Sequence, residues 1–218
     1  RQGLALSSPE YAHAYTSFWK AVQAECQGRG WAELIVQPVD EPGWKSDEAK
    51  QRNVYLLKLL KTIPGMRTEQ DGPGDSYFRS QAGPHADVWN YNGGIGDPEE
   101  VAGAIREGRL ILIYNCDVES YRPEVQRYMA GFFQRRAGIH GCYNWAYMSF
   151  RGSPYNDLDA QTGTWMHVYP RWRDEVGGPS IGWQGYREGI DDWRYLETFA
   201  VQAQRAAASG NVRAQEAA

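Results

Sequence analysis

Long apolar runs are missing from this sequence. The longest, Leu110 to Tyr114, falls far short of the roughly 20 residues a membrane-spanning helix needs, so no membrane span is expected. An excess of basic charge is missing too. Lys and Arg total 23 against 27 Asp and Glu, a net charge of −4, which leaves no basic face for a nucleic-acid partner. Cysteine is scarce: Cys26, Cys116 and Cys142 are widely spaced and odd in number, so no disulfide framework is implied. The four histidines, His13, His85, His140 and His167, stand alone, without ligand spacing to one another or to cysteine. No metal and no cofactor is expected. An initiator Met is absent as well, and Arg1-Gln2-Gly3 opens neither a charged nor an apolar leader segment. A chain that was processed, or cut from something larger, is expected.

What is present is a globular chain of 218 residues, 42% apolar and 23% charged, long enough to bury a sizeable core. Aromatic residues are abundant, with nine Trp, fourteen Tyr and six Phe. Trp and Tyr offer flat apolar faces with a polar edge, which suit a half-apolar ligand such as a sugar.

Helices and strands alternate along the chain. Ser7-Ser8-Pro9-Glu10 caps a first helix, with proline at its first position. Tyr11, Tyr15, Phe18, Val22 and Cys26 recur at helical spacing until Gly28 and Gly30. Leu34 to Val39 reads as a strand running into Asp40-Glu41-Pro42, and Ser46-Asp47-Glu48 caps a second helix that stops at Pro64-Gly65. Met66 to Glu69 and Ala86 to Tyr91 are expected strands. Asp97 opens a helix, Arg109 to Asn115 is a buried strand, Arg122 to Ala137 a helix, and Ile139 to Tyr147 a strand. After a loop, Tyr186 to Ala208 makes a last helix, and residues 209–218 are expected to fray. Such alternation without hairpin signals predicts a parallel sheet with right-handed crossovers. A dinucleotide-binding fold lacks its fingerprint, since Gly93-Gly94-Ile95-Gly96 has no third glycine in place. A complete eight-stranded barrel needs about 250 residues.

Asp40 and Glu41 are the foremost catalytic candidates. They follow a buried strand, and the proline after Glu41 biases it to an extended backbone. Adjacent carboxylates disfavour joint ionisation, which pushes one toward the protonated form a general acid needs. Trp89-Asn90-Tyr91-Asn92, Tyr114-Asn115-Cys116-Asp117 and Tyr143-Asn144-Trp145 then place aromatic and amide groups at successive strand ends, the makings of a ligand pocket. Gly178-Pro179-Ser180-Ile181-Gly182 matches a nucleophile elbow only superficially, because no histidine follows it. A loop is expected there.

Four stretches carry a family resemblance: LILIYNC (110–116), GIHGCYNWA (138–146), HVYP (167–170) and PSIGWQGYREGIDDWRYL (179–196). In order, they resemble the second half of the catalytic barrel of glycoside hydrolase family 123. Asp40-Glu41 falls where that family keeps its catalytic pair, although Asn115 stands where Thr is usual. The resemblance spans about Trp31 to Phe199, and its most specific piece is Arg187 to Trp193.

It implies an α/β fold: residues 1–218 as one partial domain, the C-terminal part (about strands four to eight) of a (β/α)8 TIM-type barrel. Earlier strands of the same polypeptide would be missing, and the parent would be secreted or periplasmic. The implied activity is hydrolysis of β-linked N-acetylhexosaminides, N-acetylgalactosaminides first, by substrate-assisted retaining catalysis. Glu41 would be the general acid and Asp40 the group that orients and stabilises the sugar's acetamido nucleophile. Substrate would touch Trp89, Tyr91, Asn92, Tyr114, Asn144 and Trp145. Two alternatives stay open. One is an ordinary retaining glycosidase with Asp117 or Glu119 as nucleophile, and the other a non-catalytic carbohydrate-binding barrel.

Overall fold

The structure is a computed structural model that describes residues 3–72, 74–92, 97–114, 122–156, 165–171, 173 and 177–216. The chain divides into two compact units, Arg1–Ile113 and Tyr114–Ala218.

In the first unit, α1 (Pro9–Gly28) starts at Ser8, whose hydroxyl accepts the Tyr11 N–H at 3.1 Å. Strand β1 is only Ile35–Val36, shorter than the expected Leu34 to Val39, because Pro38 has no N–H to give a ladder. Helix α2 (Asp47–Lys61) is capped by Ser46 and buries Leu56, Leu57 and Leu60. Leu60 joins Val36, Ile63 and Met66 in a core cluster, against which Tyr15 and Trp19 of α1 pack. Strand β2 (Arg67–Gly72) runs three residues past the expected end at Glu69. The cause is an interior lined with polar groups, which hides the apolar signature of a strand. Thr68, Gln70 and Asp71 are buried. The Thr68 hydroxyl donates to the His85 carbonyl at 2.7 Å, and Asn53 donates to Gln70 and to the Tyr77 hydroxyl. Buried polar groups persist when they satisfy one another.

A π-helical turn (Phe78–Ala82) leads to β3 (Val88–Asn92), and α3 (Pro98–Arg106) opens at Asp97 as expected. Strand β4 (Leu110–Tyr114) closes the first unit and supplies the first residue of the second.

The second unit continues with α4 (Pro123–Tyr128), a π-helical turn (Met129–Phe133) and α5 (Gln134–Ala137), where one unbroken helix was expected. Strand β5 is Gly141–Tyr143, much shorter than the expected Ile139 to Tyr147. An unforeseen antiparallel pair follows, β6 (Met148–Ser149) with β7 (Trp165–Met166). Helix α6 (Ile181–Ala207) begins five residues before the expected Tyr186. Ser180 explains the early start, since its hydroxyl accepts the Trp183 N–H at 3.0 Å and donates to the Met166 carbonyl. A serine bound in this way is a cap, and the stretch expected as a loop becomes a helix from Ile181 onward. The last helix, α7 (Val212–Glu216), lies in the stretch expected to fray.

In the first unit the strands keep chain order, β1-β2-β3-β4, with β1–β2 and β2–β3 parallel. Strands in chain order with helices between them make an α/β fold consistent with part of a TIM-type barrel.

Candidate active site

Within the first unit, the carboxyl ends of three strands carry interacting polar side chains. Past β1 stand Asp40 and Glu41, near the end of β2 stands Asp71, and Asn92 ends β3. In the register of β2 and β3, Asp71 lies opposite Asn90. The Asn92 amide donates to Glu41 Oε1 at 3.0 Å. The Glu41 backbone N–H donates to Asp71 Oδ1 at 2.9 Å. Glu41 is thus held from two neighbouring strands, once by its side chain and once by its backbone.

The expected extended backbone at Glu41 is corrected. Its φ of 43° and ψ of 52° are left-handed, a conformation that costs a residue with a Cβ roughly 1–2 kcal/mol. The local bias of a following proline loses to tertiary contacts: the Asp71 bond fixes the Glu41 amide, and Pro42–Trp44 winds directly into a 3-10 turn. Strain of this kind persists where the surroundings over-determine it, and it gathers at functional sites.

Asp40 has different company. Its side chain is 80% exposed, with Lys45 Nζ 3.7 Å from Oδ2, and Lys45 also donates to the Asp40 carbonyl. An exposed pair at this distance contributes little, so a ligand can draw the Asp40 carboxylate away cheaply.

A third carboxylate was missed in the sequence. Asp71 is 4% exposed, and burial pushes its carboxyl up to about 6 against the pull of the Glu41 N–H; the Asp40 and Glu41 charges push the same way as burial. The Gln37 side chain faces Asp71 and favours its charged form, although Gln37 Nε2 makes no hydrogen bond of full geometry. The electrostatic crowding expected for the adjacent pair therefore shows itself one strand away. Only the strand assignment hid Asp71: a strand ended at Glu69 leaves it in a loop. Trp44, exposed just beyond the pair, was likewise not singled out. Behind the loop a concavity of about 380 Å3 opens between Val39, Lys45, Ser46 and Arg52.

Trp89 and Tyr91 project from the face of β3 opposite Asn92, since side chains alternate along a strand. Trp89 is buried, donates from Nε1 to the Gly83 carbonyl at 3.1 Å, and packs edge-on against Phe78. The Tyr91 hydroxyl donates to Glu100 of α3 at 2.8 Å. Burial and that carboxylate hold the phenol well above its ordinary range.

The remaining candidates belong to the second unit. Tyr114 is buried and stacks on Tyr143 at 6.1 Å, while the Asn144 amide donates to Gln126. Trp145 is 53% exposed. Asn115, Cys116, Asp117 and Glu119 lie outside the described residues, as do Gly93 to Gly96.

The arrangement can be compared with known proteins. The family model "Glycoside hydrolase 123, catalytic domain" matches residues 3–199. Among solved structures, a family 123 glycoside hydrolase from Clostridium perfringens, solved to explain glycolipid glycan hydrolysis, aligns with a TM-score of 0.65 at 15% identity. The match covers 94% of this chain and 38% of that one, so this chain spans well under half the length of that structure. No curated protein matches the sequence.

Proposed function

Because the chain belongs to glycoside hydrolase family 123, we propose that it cleaves β-linked N-acetylhexosaminides, N-acetylgalactosaminides first, with the substrate's own acetamido group as nucleophile. The observation that carries this reading is the isolation of one carboxylate for acid chemistry. Glu41 is gripped by Asn92 and Asp71, whereas adjacent Asp40 stays exposed beside Lys45.

In this reading the acetamido oxygen attacks C1 as the glycosidic C1–O bond breaks. Glu41 gives its proton to the departing oxygen, and Asp40 accepts the acetamido N–H and stabilises the positive charge of the cyclised intermediate. Water then attacks C1, Glu41 takes back a proton, and the ring opens to the β-configured sugar. Asn92 orients Glu41. By the family resemblance, Tyr114 donates to the acetamido oxygen, and Asn144 and Trp145 are further substrate contacts. Trp89 and Tyr91 serve by anchoring β3 from behind. Glycolipid glycans, the substrates of the Clostridium perfringens enzyme, are candidate natural substrates here, and the chain corresponds to about strands four to eight of the family's barrel.

The test compares nitrophenyl β-N-acetylgalactosaminide with plain nitrophenyl β-galactoside. Turnover of the first alone, with inhibition by a thiazoline mimic of the cyclised intermediate, is the expected result. Turnover of the plain galactoside without its acetamido analogue would overturn the mechanism, and sugar binding without turnover of either would overturn the activity.

A further inference from the structure

Glu41 reaches Asn92 from a left-handed backbone that proline-preceding residues avoid, and a side chain of the neighbouring strand holds its amide there. Asp71 Oδ1 accepts the Glu41 N–H at 2.9 Å from the neighbouring strand. Asp71 is itself fixed, since it sits inside β2, opposite Asn90 of β3, and its own carbonyl accepts the Gln70 amide. Keeping a nearly buried carboxylate beside two others is costly. Among the described residues the groups that set its charge are Asp40, Glu41 and Gln37 from the segment after β1, with no cation among them. Its field reaches the Tyr77 hydroxyl.

We propose that Asp71 is a positioning residue for the general acid: by accepting the Glu41 N–H, its carboxylate locks Glu41 in the left-handed conformation from which its side chain meets Asn92. Asp71 does not touch the sugar. It acts through the backbone of its neighbour, and the catalytic part of the inference rests on the reading of Glu41 given above.

An ionised acceptor holds an N–H about twice as strongly as a neutral one. The lock is therefore strong where Asp71 is ionised and slackens as it takes up a proton, which for this carboxyl happens near pH 6. Asn at this position keeps an acceptor oxygen and cannot titrate, whereas Ala removes the acceptor.

The experiment measures kcat and KM against pH for the wild type, Asp71→Asn and Asp71→Ala, with crystal structures of all three. Asp71→Ala is expected to lower kcat about 10²-fold, the cost of a misplaced catalytic group, with KM nearly unchanged. Asp71→Asn, a neutral acceptor at every pH, should show a flat profile across pH 6, at about the level to which the wild type falls below pH 6 and above that of Asp71→Ala. In the crystal, Glu41 of Asp71→Ala should leave positive φ and lose Asn92, while Asp71→Asn keeps both. Glu41 unmoved in Asp71→Ala would overturn the proposal whatever the substrate proves to be. If Asp71→Ala does not fold, an acid limb near pH 6 that survives in Asp71→Asn would overturn it equally. Failure of the function reading looks different: the wild type would turn over no acetamido sugar, while the Glu41 backbone would still answer to Asp71.

Discussion

The two units of the chain use their most distinctive residues in opposite ways. In the first, polar groups gather at strand ends, Asp71 is buried at a cost, and Glu41 is bent into an unfavourable backbone. In the second, one face of helix α6 is given over to packing. Gly182, Gly185 and Gly189 are the buried residues of α6 and share one face of it. Gly185 lies against the Pro123 backbone and Gly189 against the Arg127 carbonyl, and a Cβ on Gly131 would sit 2.7 Å from the Gly189 carbonyl. Arg127 then closes the contact from outside, donating to both oxygens of Asp192 at 2.6 and 2.8 Å. The lesson is that a distinctive residue can serve chemistry in one place and assembly in another. One unit accepts strain to place a side chain, and the other removes side chains to bring helices together.

The largest expected effect breaks that comparison at the carboxylates. Glu41→Gln should slow substrates with poor leaving groups by something like 10²–10⁴-fold and spare nitrophenyl substrates, which need little proton help. Asp40→Asn should slow both kinds together, because it removes charge stabilisation of the cyclised intermediate. Neither change should move the melting temperature appreciably, since neither side chain belongs to the core. Rate measurements on paired substrates check the first part and thermal melts the second.

The reverse pattern is expected at the glycines. In Gly185→Ala the new methyl meets backbone and cannot be relieved by a rotamer change. Overpacking of this kind costs about 1–3 kcal/mol, occasionally more. A denaturant titration should show this loss, while Glu41→Gln melts like wild type. A neutral Gly185→Ala would mean that α6 does not pack as closely as it does here.

Acidity separates the units further, with opposite signs. The folded-state pKa of Asp71, about 6, lies above its ordinary 3.8. Its contribution to stability is therefore full below about pH 4 and lost as pH rises through 6. Asp71→Asn should gain on the order of 1–3 kcal/mol at pH 7, with the gain vanishing near pH 4. His167 behaves the other way. Burial against Trp183 and Tyr186 holds its imidazole below the ordinary 6.5, and among the described residues its buried Nδ1 has no hydrogen-bond partner. Its contribution is present above pH 6.5 and lost on acidification, so His167→Phe should flatten the acid side of the stability curve. Melts of both variants at pH 4, 5 and 7 test the signs.

These contrasts also explain what could be read in advance. The alternation of helices and strands was legible because caps such as Ser8, Ser46 and Asp97 announce helices locally. The Asp40-Glu41 pair was legible as adjacent acids beside a proline. Asp71 was not, because β2 buries Thr68, Gln70 and Asp71 and so lacks the apolar pattern by which strands are recognised. The Glu41 backbone was misjudged for a related reason. A dipeptide rule sees Pro42, whereas the bond that decides comes from Asp71, thirty residues away. The early start of α6 was hidden by Gly182 and Gly185, which read as a loop until their packing is known.

The smallest expected effect lies at Ser180, and it sharpens the comparison at one atom. This residue sits in the only sequence motif that mimics a catalytic serine, yet its hydroxyl is fully buried and doubly engaged, accepting the Trp183 N–H and donating to the Met166 carbonyl at 2.7 Å. A nucleophile needs a base and an exposed oxygen, and Ser180 is instead a cap. Ser180→Ala should leave kcat and KM unchanged and cost roughly 0.5–2 kcal/mol, the range for losing such a cap. Asp in its place would still accept from Trp183 but would meet the Met166 carbonyl with a second acceptor. Ser180→Asp should therefore be no better than Ser180→Ala, although aspartate is among the best caps on exposed helices. A rate loss at Ser180→Ala without loss of stability would move this residue from assembly into chemistry, and the division between the two units would fail there.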